Sequence, residues 1–257
     1  YITRDVTTTR KFNLGLSGGG QVATYNVSGD YSTDNGLLKI NPINDFNSNV
    51  KFNVYNLRTN VNLNVTKTTS LTARFNLNVQ DYNGPPVTGS EAFGLALRSN
   101  PVLFQPVYEV PASQSWIKHP MFGNFGEGGY LNAYAQIVRG YSERKRSNIY
   151  FQLDLNQKLS FITEGLTYRG LLNITRNSYF SQQRTYIPFY YTPIQNPETG
   201  IVDRFQNINP EGGTEYLNFV PGERDQAAIL YAESQLSYNR TFGEHNLGAM
   251  VVGTIRD

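Results

Sequence analysis

The sequence contains no cysteine, one tryptophan and only two histidines among 257 residues. Without cysteine there is neither a disulfide framework nor a thiolate metal site. The histidines, His119 and His245, stand far apart in the chain, and neither belongs to a metal-ligand spacing. No nucleophile elbow, P-loop or HExxH pattern occurs. The acidic stretch Asp30-Tyr31-Ser32-Thr33-Asp34 does not complete a calcium loop. Gly36 falls one place late, and no Glu follows at the required offset. The expectation is a protein that is not an enzyme and needs no cofactor or metal.

Charge is also scarce. Charged residues make up 16% of the chain, against roughly a quarter in an average soluble domain. The net charge is +2, and the basic residues are scattered. Arg144-Lys145-Arg146 is the one short basic run. It reads as a solvated loop or a strand end, so no nucleic-acid partner is expected. No apolar run approaches the roughly 18 residues of a membrane-crossing helix. Tyr1-Ile2-Thr3-Arg4-Asp5 lacks the Met, basic region and apolar core of a signal peptide. Gly248 to Asp257 stops within or just after a strand pattern. Both ends read as the interior of a longer chain.

What is present is aromatic and glycine-rich: 18 Tyr, 15 Phe and 23 Gly, at a mean hydropathy of −0.43. Strands with one face in lipid and the other in water have this composition. A secreted β-sandwich or β-solenoid has it too, so composition alone leaves both open.

Periodicity separates them. Ala23 to Ser32 places Ala23, Tyr25, Val27, Gly29 and Tyr31 opposite Thr24, Asn26, Ser28, Asp30 and Ser32. Tyr55 to Val65, Leu71 to Val79 and Ile149 to Leu155 alternate in the same way. Weaker alternation covers Lys11 to Ser17, Leu166 to Ser178, Ala228 to Phe242 and Leu247 to Thr254. This predicts about eight strands, many of about 9 to 13 residues, which suits tilted membrane-spanning strands. Their polar face is mostly Asn, Gln, Ser and Thr, as in a water-filled or plugged lumen. Leu57, Val61, Leu63, Leu71, Phe75, Leu77, Phe151 and Leu153 are expected to face lipid. Arg58, Asn62, Arg74, Asn76, Gln152 and Asp154 are expected to face the lumen.

The connections alternate strictly. Short links fall at Gly18-Gly19-Gly20, Thr66 to Ser70, Leu159 to Gly165 and Gly243-Glu244-His245. Long ones fall at Thr33 to Asn49, Gln80 to Ser147 and Tyr179 to Arg224. An outer-membrane barrel has turns on one rim and long loops on the other. A Greek-key sandwich has no reason to put every long connection at one end. The predicted fold is therefore all-β, an antiparallel transmembrane β-barrel. Loops this long suit a barrel wider than eight strands.

Several blocks resemble the SusC/RagA group of TonB-dependent outer-membrane transporters. Leu16-Ser17-Gly18-Gly19-Gly20 followed by Ala23-Thr24-Tyr25-Asn26-Val27-Ser28 resembles that family's first barrel hairpin, and Asp34-Asn35-Gly36 its first outer loop. Asn56 to Val61 with Ser70-Leu71 resembles the next hairpin. Arg98-Ser99-Asn100-Pro101 and Gln105-Pro106-Val107-Tyr108 resemble its long loop. Leu153-Asp154-Leu155 with Phe161 to Leu166, and Phe242 to Leu247, resemble later turns. Asn132-Ala133-Tyr134-Ala135 departs from the family, which more often has a proline after the Asn.

The resemblance implies that residues 1–257 are part of one barrel domain of 22 strands, with an N-terminal plug and further strands outside this chain. It implies a multi-pass location in the outer membrane of a Gram-negative bacterium, with a SusD-like lipoprotein as lid. TonB would supply energy through segments absent here, and the cargo would be oligosaccharide or oligopeptide. A passive porin or structural barrel, and a secreted glycan-binding β-protein, are the alternatives. Within the long loops, Tyr108, Trp116, Tyr130, Tyr134, Tyr190 and Tyr191 are candidate cargo or lid contacts, since aromatics can stack on a sugar or peptide. The competing reading is that they pack the loops together. Ser90 to Arg98 is expected to form a short helix with Ser90 as its N-cap.

Overall fold

The structure is a computed structural model that describes residues 2–38, 43–100, 102–126, 129 and 131–257. The chain opens with four strands, β1 (Thr9–Gly19), β2 (Ala23–Asp34), β3 (Lys51–Asn64) and β4 (Thr69–Gly84). A helix α1 (Gly89–Arg98), two short strands β5 (Val107–Tyr108) and β6 (Met121–Gly123), and a helix α2 (Ala133–Val138) follow. Next come β7 (Gly140–Lys158), β8 (Leu166–Thr185), β9 (Tyr190–Gln195) and β10 (Val202–Asn207). The chain closes with β11 (Asn218–Phe242) and β12 (His245–Arg256).

Eight of these strands form one antiparallel sheet in the order β1-β2-β3-β4-β7-β8-β11-β12. They coincide with the eight alternating segments, but they are longer. Arg144-Lys145-Arg146 lies inside β7, and the strands reach well into the stretches expected as loops. Backbone pairing needs no apolar side chain, so a ladder continues past the end of the hydrophobic pattern. The sheet is open: β1 and β12 are its outermost strands, so these eight strands do not close a barrel on themselves.

Since neighbours in the sheet are consecutive and antiparallel, connections must alternate between its two ends. Links 20–22, 65–68, 159–165 and 243–244 lie at one end, and links 35–50, 85–139 and 186–217 at the other. The tightest turn is Gly243-Glu244, flanked by the pair Phe242 and His245. Gly243 has φ +62, as the first central residue of a type II′ hairpin turn requires. His245, expected in the turn, is the first residue of β12.

Register assigns the faces. Leu16, Val27, Thr59, Phe75, Phe151, Ile174 and Leu230 stand side by side across seven strands. On the opposite face, Ser17, Asn26, Asn60, Arg74, Gln152, Asn173 and Tyr231 form the equivalent row. The apolar face is left uncovered: Leu14 is 67% and Val251 72% exposed.

The buried core lies elsewhere. The long connections fold into a lobe at their own end of the sheet, built on a second sheet in the order β10-β9-β6-β5. Phe122, Tyr134, Ala135, Val138, Tyr186 and Tyr190 form its largest cluster. Asn44 Nδ2 donates to the Val138 carbonyl at 2.7 Å, and the Tyr186 amide donates to the Arg139 carbonyl at 2.8 Å, which ties the lobe to the ends of β7 and β8.

Helix α1 matches the predicted helix, but its N-cap is Thr88, not Ser90. Thr88-Gly89-Ser90-Glu91 is a capping box. Thr88 Oγ1 accepts from the Glu91 amide at 3.2 Å, and the Thr88 amide donates to Glu91 Oε2 at 2.7 Å. Helix α2 was not expected. It begins at Asn132, whose Oδ1 accepts from the Ala135 amide at 3.0 Å.

Candidate functional site

The lobe joins residues from all three long connections, and two cavities adjoin within it. The first, of about 510 Å³, is bounded by Asn44, Asp45 and Phe46 of link 35–50, by Lys118 to Pro120 and Phe122, and by Tyr186, Phe189 and Thr214 to Glu215. The second, of about 540 Å³, is bounded by Gln114, Trp116, Ile117, Tyr191, Phe205 and Asn207. Lys118, His119 and Glu215 form the wall common to both.

His119 is fixed on three sides. Its Nδ1 lies 2.9 Å from Glu215 Oε1 and its Nε2 lies 2.8 Å from the Tyr191 hydroxyl. Its ring stacks on Phe189 at a centroid separation of 4.1 Å. A carboxylate only accepts, so Nδ1 carries the proton, and in the neutral ring Nε2 accepts from Tyr191. Burial raises the Tyr191 phenol pKa above its ordinary value, opposed by a hydrogen bond from Asn207. Burial also pushes the Tyr186 phenol well above the usual range. Both phenols remain neutral and serve as hydrogen-bonding groups.

Gln114 takes the place of a strand partner beside β10. Its Nε2 donates to the Phe205 carbonyl at 3.0 Å, and its Oε1 accepts from the Phe205 amide at 2.7 Å. This satisfies part of an otherwise open sheet edge and anchors the segment that carries Trp116 and Lys118.

The candidate aromatic contacts divide. Trp116 is 70% exposed and borders the second cavity. Tyr108 is half-buried, with its ring 4.6 Å from that of Phe205. Tyr191 is buried but lends an edge to the second cavity. Tyr134 and Tyr190 lie in the lobe core at 4% and 1% exposure, so they pack the loops together and offer no open surface. Tyr130 lies outside the described residues. Sequence reasoning did not single out Asp45, Lys118 or Glu215. They come from three separate connections, and no local pattern marks their convergence.

On the polar face of the large sheet, Arg58, Asn62, Arg74, Asn76, Gln152 and Asp154 all point the same way by register. Arg169 holds Asp154 through Nη2 at 2.6 Å and Nε at 3.2 Å to the same carboxylate. At one level, Asn56, Asn78, Asn148 and Asn177 are neighbours across four strands, with Asn78 donating to Asn56 at 2.6 Å. Nearer the lobe, Arg144 lies over the Tyr82 ring and Arg146 over the Tyr179 ring, each at 5.2 Å. The face sets many neutral donors and acceptors around a smaller number of charges, among them Arg58, Arg74, Asp154 and Arg169.

No protein-family model matches the sequence, and no curated protein does. Among solved structures, one described as the structure of the RagAB peptide transporter aligns with 96% of this chain and 32% of its own, at 13% identity and a TM-score of 0.43. The chain thus spans about a third of that protein's length.

Proposed function

We propose that this chain forms part of the wall of an outer-membrane β-barrel, the rest of the wall and an N-terminal plug being contributed by segments outside residues 1–257. The observation that carries the reading is the uncovered apolar face of the large sheet, set opposite a polar face. On β3 the apolar row runs from Tyr55 to Leu63. At about 3.4 Å per residue that is about 27 Å along the strand, or about 20 Å of membrane at the usual tilt. Water does not tolerate so much exposed apolar area on a folded protein, whereas lipid requires it. Lipid equally forbids unpaired edges, so β1 and β12 must be paired by further strands in the complete wall.

The proposed activity is active import of oligosaccharide or oligopeptide, energised by TonB and assisted by a SusD-like lipoprotein seated on the lobe. Three folded connections at one end of the sheet give such a lid a platform, and a bare pore has no need of them. Trp116 is the best single anchor for it, being exposed, aromatic and on the lobe surface.

Cysteine labelling tests the placement, since the chain has no thiol of its own. Trp116→Cys on the lobe should react with a membrane-impermeant maleimide in intact cells. Lys67→Cys, in link 65–68, should react only after the outer membrane is permeabilised. Equal labelling of both in intact cells removes the barrel reading.

A further inference from the structure

One cation on the outward face of the large sheet stands among apolar neighbours. Register puts Arg176 of β8 beside Ile149 of β7 and Ala228 of β11, at the level of Leu77 on β4 and Leu57 on β3. The next row toward the turns, about 7 Å along the strand, holds Phe75, Phe151, Ile174 and Leu230. Arg176 thus lies within the apolar band. Other arginines of the sheet have partners: Arg169, on the polar face, holds Asp154, and Arg240, outward near the turns, lies 3.3 Å from Glu164. Among the described residues Arg176 has no ion pair and no ring partner. A guanidinium keeps its charge at any working pH. In the membrane placement proposed above, lipid does not hydrate it, so it needs an anion that these residues do not supply.

The wall on the lobe side of Arg176 suits such an anion. The next row carries Ser147, Ser178 and Gln226, at a level where β3 and β4 still carry Tyr55 and Val79. Ser147 Oγ and Ser178 Oγ lie 2.6 Å apart. The row beyond holds Lys145, Phe180 and Arg224, with the Arg224 guanidinium 5.4 Å from the centre of the Phe180 ring. Asp81, the one carboxylate on these three rows, stands beside Lys145, not beside Arg176. An arginine can lay its apolar stem along the wall and reach the interface with its head. Hydroxyls of a neutral headgroup solvate a cation there without neutralising it. A phosphate neutralises it and accepts two parallel hydrogen bonds from the guanidinium.

We propose that β7, β8 and β11 carry on their outer wall a site for the phosphate of an anionic lipid in the leaflet at the lobe end. Arg176 grips the phosphate, Ser147, Ser178 and Gln226 complete its hydrogen bonds, and Lys145 and Arg224 supply positive charge above it. The proposal rests on the membrane placement and concerns the lipid around the wall, not the cargo.

The test is native mass spectrometry of the full-length protein, released from a non-ionic detergent. It is titrated with lipid A, a phosphorylated glycolipid, with the same lipid stripped of its phosphates, and with inorganic phosphate. Lipid A should bind, the stripped lipid about tenfold more weakly, and inorganic phosphate should not displace lipid A. Arg176→Leu should bring lipid A down to the level of the stripped lipid and leave the latter unchanged. Arg176→Lys keeps the charge and should retain most of the preference, which shows that the wall still folds when position 176 is changed. Arg224→Gln should weaken lipid A by about fivefold. Equal binding of the two lipids, displacement by inorganic phosphate, an unchanged preference in Arg176→Leu, or a dimer that Arg176→Leu dissolves in place of lipid binding each overturns the proposal. The thiol-labelling pattern is read independently. If it holds while the phosphate preference is absent, the lipid site falls and the barrel reading stands; if it fails, both fall.

Discussion

The large sheet and the lobe follow opposite rules of burial. In the lobe, Phe122 is wholly buried and Tyr190 is 1% exposed, as in any soluble core. In the sheet, apolar side chains such as Leu16 at 62% and Leu247 at 55% face outward with nothing over them. One chain cannot satisfy both rules in a single solvent. The lobe obeys the rule for water, and the membrane placement proposed above would give the sheet a medium as apolar as its own side chains. In a β-sandwich the apolar faces of two sheets cover each other, and among the described residues no second sheet covers the apolar face of this one.

The largest test of this contrast removes the lobe's core. Phe122→Ala leaves a cavity among Tyr134, Tyr190 and Val138 and should cost about 3–5 kcal/mol locally. Hydrogen exchange should quicken across 102–126 and 186–217 while β2, β3 and β4 stay protected. If the large sheet loosens equally, the two regions share one core and the contrast is mistaken.

A second substitution addresses the other side of the comparison. Phe75 and Asn76 are sequence neighbours on opposite faces of β4. Phe75→Arg should cost about 2–4 kcal/mol in bilayers, and Asn76→Arg should be mild. Folding titrations into lipid vesicles measure both. Equal tolerance would remove the lipid face.

The sheet was legible in the sequence because alternation is a local signal repeated over many residues. Each of the eight long strands shows it, and the short links betray themselves by Gly165 and Gly243. The positions of strand ends were not legible: β11 begins at Asn218, beside Pro221, well before its apolar alternation starts at Ala228. The lobe was hardly legible at all. Its pairings, such as Phe122 beside Tyr190 in parallel strands, join distant segments of two to six residues, too short to carry a clear period. The cavity residues share this difficulty, because Asp45, Lys118 and Glu215 acquire meaning only once three loops are brought together. Closure belongs to the proposed function and rests on what lipid does to an unpaired edge.

The smallest expected effect is at the entry to α1, on the lobe side of the contrast, where water sets the rules. Hydrogen bonds from the Thr88 amide and hydroxyl hold the Glu91 carboxyl below the usual carboxylate range. A carboxyl with a lowered folded pKa contributes stability that is fully present above its unfolded pKa and is lost as pH falls through the folded one. Both groups are exposed, so solvent screening keeps this contribution small. Thr88→Ala removes the hydroxyl that accepts from the Glu91 amide and donates to the Glu91 carboxylate, leaves the backbone arm from the residue-88 amide in place, and should cost about 1 kcal/mol of local helix stability. Exchange of the Glu91 and Ala92 amides should then quicken by several-fold at neutral pH. In the wild type the same amides should lose part of their protection as pH drops below the ordinary carboxylate range. Glu91→Gln retains an acceptor without a titrating charge, so its protection should be flat across that window. If Thr88→Ala leaves these amides unchanged, the box does not hold the first turn, and packing of Ala92 against Leu38 and Ile137 fixes the helix instead.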